Sequence, residues 1–392
     1  MKKFIYIPSF DSAVSQLAGK KNLSLKDGTP WRFWDENFPE FHQNKTFLVS
    51  AGHNYKKMNH TSEYEFPPDM FVMGDSGGYQ IATGVLTWNE ELRTTIFKWL
   101  ENNCAVAINL DLPPRGQFAG KFHEALDFSV KNFQYFHENQ TGKVKFLNVL
   151  HGSTYDKYKH WYNSVSAYEF NGWACGGSIG KLNALMDWLI VLLEGGEFDK
   201  KSVEYVHMLG ASSILDFLVL AQIQKSLFER GSTTTITTDS STPSRGTAYG
   251  LYYTGFDFKN LAFKYITIPK KADVSKFAIQ RLPVVNEMDE KIFKNYTLEE
   301  YYQFKSEHYA WMVLHNYIVF LDAYRLANDY IWSDYGILEQ IVNSDTLRML
   351  RVIDKIIKSD HPRQQYLTHI SIFEKMARMA VTPMVETNVD FF

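Results

Sequence analysis

Cysteine is nearly missing from the chain: Cys104 and Cys175 are the only two in 392 residues. Their spacing suits no metal ligand set. The pair therefore argues against a disulfide framework and a cysteine-rich zinc site, and fits a reducing compartment. Long apolar runs are lacking as well. No run reaches the roughly 18 residues that a membrane-spanning helix needs. The opening "MKKFIYIPSF" stops at Pro8, too soon for a signal peptide. The expectation is a soluble, cytoplasmic protein without a membrane partner. Nor is there an excess of one charge: 41 Lys and Arg stand against 44 Asp and Glu, a formal −3. Nothing in that balance draws the whole molecule to a polyanion, so any contact with nucleic acid has to come from a local patch. Internal repeats and low-complexity tracts are absent.

What the chain does have is apolar residues at 45% and charged residues at 22%, the proportions of a folded globular protein. Aromatics reach 16%, enough to fill a large core and to supply stacking faces. Short β-branched and aromatic runs predict strands near 4–8, 47–50, 71–74, 105–110, 144–150, 172–175, 205–209, 234–238 and 265–268. Helix-like segments lie between them, among them 89–102, 125–139 and 181–193. Alternation of this kind predicts parallel strands joined by crossover helices, and seven or eight of them fit a closed TIM-type (β/α)8 barrel better than an open sheet. The expected division is a catalytic barrel over 1–270, then barrel completion and a helical C-terminal extension over 271–392.

Three predicted strands end in an aspartate: "FVMGD" at Asp75, "AVAINLD" at Asp111 and "TTITTD" at Asp239. In a parallel barrel those ends share one rim, where the fold builds its active site. Any one such aspartate is ordinarily a turn former or a helix N-cap. Three together, each in a loop marked by glycine or proline, shift the balance toward a shared site. Carboxylates at one reacting centre suit glycosyl transfer, where one attacks the anomeric carbon and another handles the leaving group's proton. Gly77 and Gly78 allow a sharp turn or a close approach to a flat ligand, and Tyr79 offers it a face. "ACGGSIG" supplies a second glycine turn, at Gly176 and Gly177, able to present backbone N–H groups; as a motif by itself it is only a tight turn. His151 ends another strand, in "VLHGST", within reach of a base edge if it faces the rim.

"GDSGGYQ", "HGS", "CGGSIG" and "DSSTPSRG" occur in the order of the tRNA-guanine transglycosylase family, which the chain resembles over roughly 71–250 and weakly to 321. The resemblance implies Asp75 as general acid and base, Ser76 and Tyr79 in the base-binding motif with Tyr79 as stacking platform, and Asp111 as reader of the guanine edge. It implies His151 in the place of a glutamine, Gly176 and Gly177 as backbone donors, Asp239 as nucleophile, and Arg245 as a contact to the nucleic-acid strand. Ser178 stands where the family has leucine. Family members acting on tRNA carry a zinc subdomain of closely spaced cysteines and a His in a helical "HN". Here "VLHNYIVF" keeps His315 and Asn316, but 255–314 holds no cysteine, so no zinc site is expected and His315 is read as a core histidine.

A barrel without that site resembles the DNA-guanine transglycosylases of phage and bacterial DNA modification, which implies DNA and a free 7-deazaguanine (preQ0-like) as co-substrates and no cofactor. The rivals are the same chemistry on tRNA, a non-catalytic nucleic-acid-binding subunit, and an unrelated barrel hydrolase of small glycosides. In the tail, "SDTLRMLRVIDKIIKSDHPR" puts Met349, Ile353, Ile356 and Ile357 on one helix stripe and Arg348, Arg351, Lys355 and Lys358 opposite. That basic face reads first as a solvated surface, and second as a contact to phosphates through Arg348, Arg351 and Lys355.

Overall fold

The β-branched runs form eight strands whose spatial order follows the sequence around a barrel: β1 (Ile5–Pro8), β2 (Thr46–Ser50), β3 (Phe71–Asp75), β4 (Val106–Ile108), β5 (Lys145–His151), β6 (Gly172–Gly176), β7 (Tyr205–Met208) and β8 (Thr235–Ser240). The computed structural model describes residues 3–9, 33–34, 44–64, 66–176, 181–269, 281–292, 297–303, 305–333, 335–379 and 384–386. Each strand pairs in parallel with its neighbour, and β8 returns to β1 with Ile7 opposite Asp239. Among the described residues the seam between β1 and β2 is held by one isolated parallel bridge, Ser9 to Leu48. Two side chains complete it: Asn44 Nδ2 and Thr46 Oγ1 donate to the Tyr6 carbonyl at 2.7 and 3.1 Å. The result is a nearly closed TIM-type (β/α)8 barrel with a C-terminal helical region.

The ninth predicted strand lies outside the barrel. It belongs to β10 (Ala262–Thr267), which pairs antiparallel with β9 (Leu251–Asp257) and parallel with β11 (Met384–Glu386). The hairpin turn is closed by Asp257, whose carboxylate accepts from the Lys259 and Asn260 N–H groups at 2.9 and 3.0 Å.

Helices Glu90–Asn103, Phe122–Asn139, Tyr155–Val165, Leu182–Glu194 and Ile214–Glu229 follow β3 to β7. The last helix position is filled from far along the chain by Lys305–Trp332. Its Tyr317 hydroxyl donates to the Ser240 carbonyl (2.9 Å) near the strands' C-terminal ends, and its Tyr324 hydroxyl to the Phe4 carbonyl (2.9 Å) near the other. The "HN" pair comes just before Tyr317. His315 is a fully buried core histidine: Nδ1 lies 2.6 Å from Asp289 Oδ1, Nε2 lies 2.6 Å from the Tyr253 carbonyl, and the ring stacks on Tyr252 at 3.8 Å. Asn316 accepts from Tyr253 N (3.0 Å) and donates to Thr247 Oγ1 (2.8 Å) and the Leu251 carbonyl (2.9 Å). This knot ties the long helix to β9 and to the short helix Thr242–Ala248 after β8.

Helix Leu182–Glu194 is apolar nearly all round, a pattern that demands cover on both faces. The barrel supplies one face and the terminal helices Pro362–Thr368 and Ile370–Met379 pack on the helix from outside. Ser344–Ile357 covers Ile214–Glu229 in the same way, with Met349, Ile353, Ile356 and Ile357 all buried, as the stripe predicts. Among the described residues no helix is long and apolar enough to cross a membrane. Because the tail fills core rather than decorating it, Ile353→Ala is expected to cost about 2–5 kcal/mol in chemical denaturation. A loss under about 0.5 kcal/mol, typical of surface substitutions, would show instead that the tail is a loose appendage.

Candidate active site

The strand ends enclose a cavity of about 720 Å³ into which Asp75, Asp111 and Asp239 all open. The rim is therefore shared, as the three aspartates predict, although β4 stops at Ile108 and Asp111 lies in the loop three residues beyond it.

Asp75 closes β3 directly opposite Ser50, the last residue of β2. Ser50 Oγ donates to Asp75 Oδ2 at 2.9 Å, and the Gly77 N–H approaches Oδ1 at a long 3.4 Å. Burial is the largest influence on this carboxyl and pushes its pKa above the ordinary value; the Ser50 hydrogen bond opposes that, and the nearby Asp111 and Asp239 charges add to it. The two glycines that follow are required by their neighbours. Gly77 adopts φ +91°, and a Cβ there would lie 2.5 Å from Gly52 Cα; one on Gly78 would lie 2.0 Å from the Asp111 carbonyl oxygen. Backbone thus touches backbone, and the helix Gly78–Ala82 starts hard against Asp111, three residues past the end of β4. Its second residue, Tyr79, stands 59% exposed at the cavity wall. Ser76 is buried and turns its hydroxyl to the Asn109 carbonyl at 3.0 Å, beneath the site.

Asp111 and His151 form one unit. Asp111 Oδ2 lies 2.5 Å from His151 Nε2, and the imidazole packs edge-on against Trp161 at 5.0 Å. Gly176 makes room for it: a Cβ there would lie 2.1 Å from His151 Cε1. Among the described residues Asp111 Oδ1 carries no hydrogen bond, which leaves it for a donor in the cavity. Gly177 and Ser178 lie outside the described residues.

Asp239, on β8, is held by nitrogen donors. Its Oδ1 accepts from the Gly210 N–H at 2.9 Å and faces His207 Nε2 at 3.2 Å. Oδ2 has no partner among the described residues. Arg245, exposed on Thr242–Ala248, lines the same cavity, as does Arg115 from the loop after β4; neither has an ion pair among the described residues. Those two cations border a cavity that three carboxylates and three histidines also line.

The remaining basic residues are elsewhere. Arg348, Arg351 and Lys355 line a separate cleft of about 420 Å³ with His369. Their helix meets the last turn of Ile214–Glu229, where Ser226 Oγ donates to Asp354 Oδ1 at 2.7 Å. Ile214–Glu229 starts beside the rim and runs about 24 Å away from it. Arg351 is also paired with Glu339 at 2.6 Å. The structure does not bring these three residues to the cavity.

Sequence reasoning missed Ser50, Arg115, His207 and Gly210. The one available signal was parity: His207 lies across from Thr237, two residues before Asp239, so a polar side chain there shares the inward face. No family model matches this chain, and no curated protein matches it.

Gly176→Ala is expected to displace the His151 ring and cost about 1–3 kcal/mol by overpacking, read as a lowered denaturation midpoint. Unchanged stability would mean that the imidazole is not seated against Gly176.

Proposed function

We propose that this chain exchanges guanine in DNA for a 7-deazaguanine base, preQ0-like, through a covalent aspartyl intermediate. The observation that carries the reading is a difference between two carboxylates on one cavity. Asp239 has one oxygen bound by N–H donors and the other free; Asp75 has a raised pKa and a single short hydroxyl donor. Environments that differ in this way separate a nucleophile from an acid. The ordered motifs and the absence of cysteine from 255–314 support DNA and this family of reactions.

Guanine stacks on Tyr79 while Asp111 Oδ1 accepts its N1 and N2 protons, with His151 fixing the carboxylate. Inside a duplex the base is unreachable, so the nucleotide is flipped out or single-stranded. Arg115 and Arg245 offset the repulsion between a phosphodiester and the carboxylates below. Asp239 Oδ2 attacks C1′ as the C1′–N9 bond breaks, and its electron pair takes the Asp75 proton. The incoming base then attacks C1′ through N9 and gives its N9 proton to Asp75, while the C1′–Oδ2 pair returns to Asp239. Both the leaving guanine and the restored carboxylates balance.

The test is trapping on labelled DNA and, separately, on tRNA. A denaturant-resistant adduct on DNA is expected, absent in Asp239→Ala and formed about 10²–10⁴-fold more slowly in Asp75→Asn. An adduct on tRNA alone would reassign the polymer; none on either would sink the transferase. The acid assignment has its own check. Adduct formation requires protonated Asp75 and so falls as pH rises through its pKa. Ser50→Ala removes the hydrogen bond that lowers that pKa, so the falling limb should move to higher pH. A limb that stays put, or moves down, would exclude Asp75 as the acid.

A further inference from the structure

His207 is fully buried on β7 and is used by no motif of the sequence. Its Nδ1 lies 2.8 Å from Thr237 Oγ1 and its Nε2 lies 3.2 Å from Asp239 Oδ1. The Thr237 hydroxyl has one proton to give. Its alternative acceptor, the Val206 carbonyl, is 3.5 Å away, so the proton goes to Nδ1 at the shorter distance. Nε2 then carries the ring hydrogen and donates it to Asp239, a tautomer assigned by the network. The Gly210 N–H donates to the same oxygen at 2.9 Å. Two donors converge on Oδ1 from β7 and the turn after it, and none among the described residues touches Oδ2.

We infer that His207 is a positioning residue for Asp239, holding the carboxylate so that Oδ2 faces the cavity and stabilising it as a leaving group when the second base arrives. This inference rests on the transglycosylation reading above. In the first step the donors bind the oxygen that becomes the ester carbonyl, which fixes orientation at some cost in nucleophilicity, so the two effects oppose. In the second step N9 of the incoming base bonds to C1′ as the C1′–Oδ2 bond breaks. The electron pair returns to the carboxylate, whose growing charge the His207 and Gly210 N–H groups share. Removing His207 therefore weighs on resolution of the adduct more than on its formation.

The experiment uses the full chain and measures the two steps separately: formation on labelled DNA without free base, then resolution on adding preQ0. In His207→Ala, resolution should slow by about ten- to a hundredfold, the worth of one hydrogen bond to a charged group, with formation changed far less. Adduct should then accumulate. His207→Gln, whose amide can present an N–H at the same reach and accept from Thr237, should recover most of the resolution rate. Equal slowing of both steps, or no recovery with Gln, would make His207 an ordinary core residue. A second readout does not depend on turnover: in protein labelled with 15N at histidine, the His207 ring should carry its hydrogen on Nε2, with Nδ1 as an acceptor. If the wild type forms no adduct on any nucleic acid, the proposed function fails, and that tautomer alone decides the contact: a ring hydrogen on Nδ1 overturns it.

Discussion

Three carboxylates open into one cavity, and like charges in a confined, partly dry space repel. Each is stabilised by a different kind of partner. Asp111 leans on an imidazole, Asp239 on two nitrogen donors, and Asp75 on a single serine hydroxyl with burial working against it. The three identical side chains thus have three different sets of partners, and burial pushes the Asp75 carboxyl above its ordinary range; the roles proposed for them follow from that inequality. The barrel makes the arrangement available because parallel strands deliver their last residues to one rim. The donors come from neighbouring strands: Ser50 beside Asp75, His151 beyond Asp111, His207 beside Asp239.

The barrel was legible because β-branched runs alternate with helical segments, and the rim because "D" closes three of those runs. The hairpin was half legible. β10 announces itself with "KYITI", whereas β9 carries Gly255 and ends in the turn-forming Asp257, and reads as loop. The tail shows the limit of pattern reasoning in another way. Its apolar stripe correctly marks the buried side of Ser344–Ile357, but a stripe fixes which side faces inward, not which end of the barrel lies beneath it. The placement of Arg348, Arg351 and Lys355 therefore had to come from tertiary contacts. His207 was hidden for a related reason: inside an apolar strand a single histidine has the appearance of a filler until the residue across the ladder is known.

The C-terminal half has a structural duty beyond closing the barrel. Asn316 and His315 hold Thr242–Ala248 and β9 in place from the inside, so the cavity wall that carries Arg245 is braced by residues some seventy positions later in the chain. The geometry of the cavity and the packing of the long helix are thus not separable.

The glycines after Asp75 have a further implication for how such a motif persists. Gly52, Gly77 and Gly78 are held by backbone-to-backbone contact, which is indifferent to chemistry. A descendant that lost Asp75 would still need all three, Gly52 and Gly77 against each other and Gly78 against the Asp111 carbonyl, and would go on displaying most of the signature. In any chain bearing this pattern, the glycines report a shape, and whatever chemistry the turn serves has to rest on the aspartate and the aromatic ring beside them.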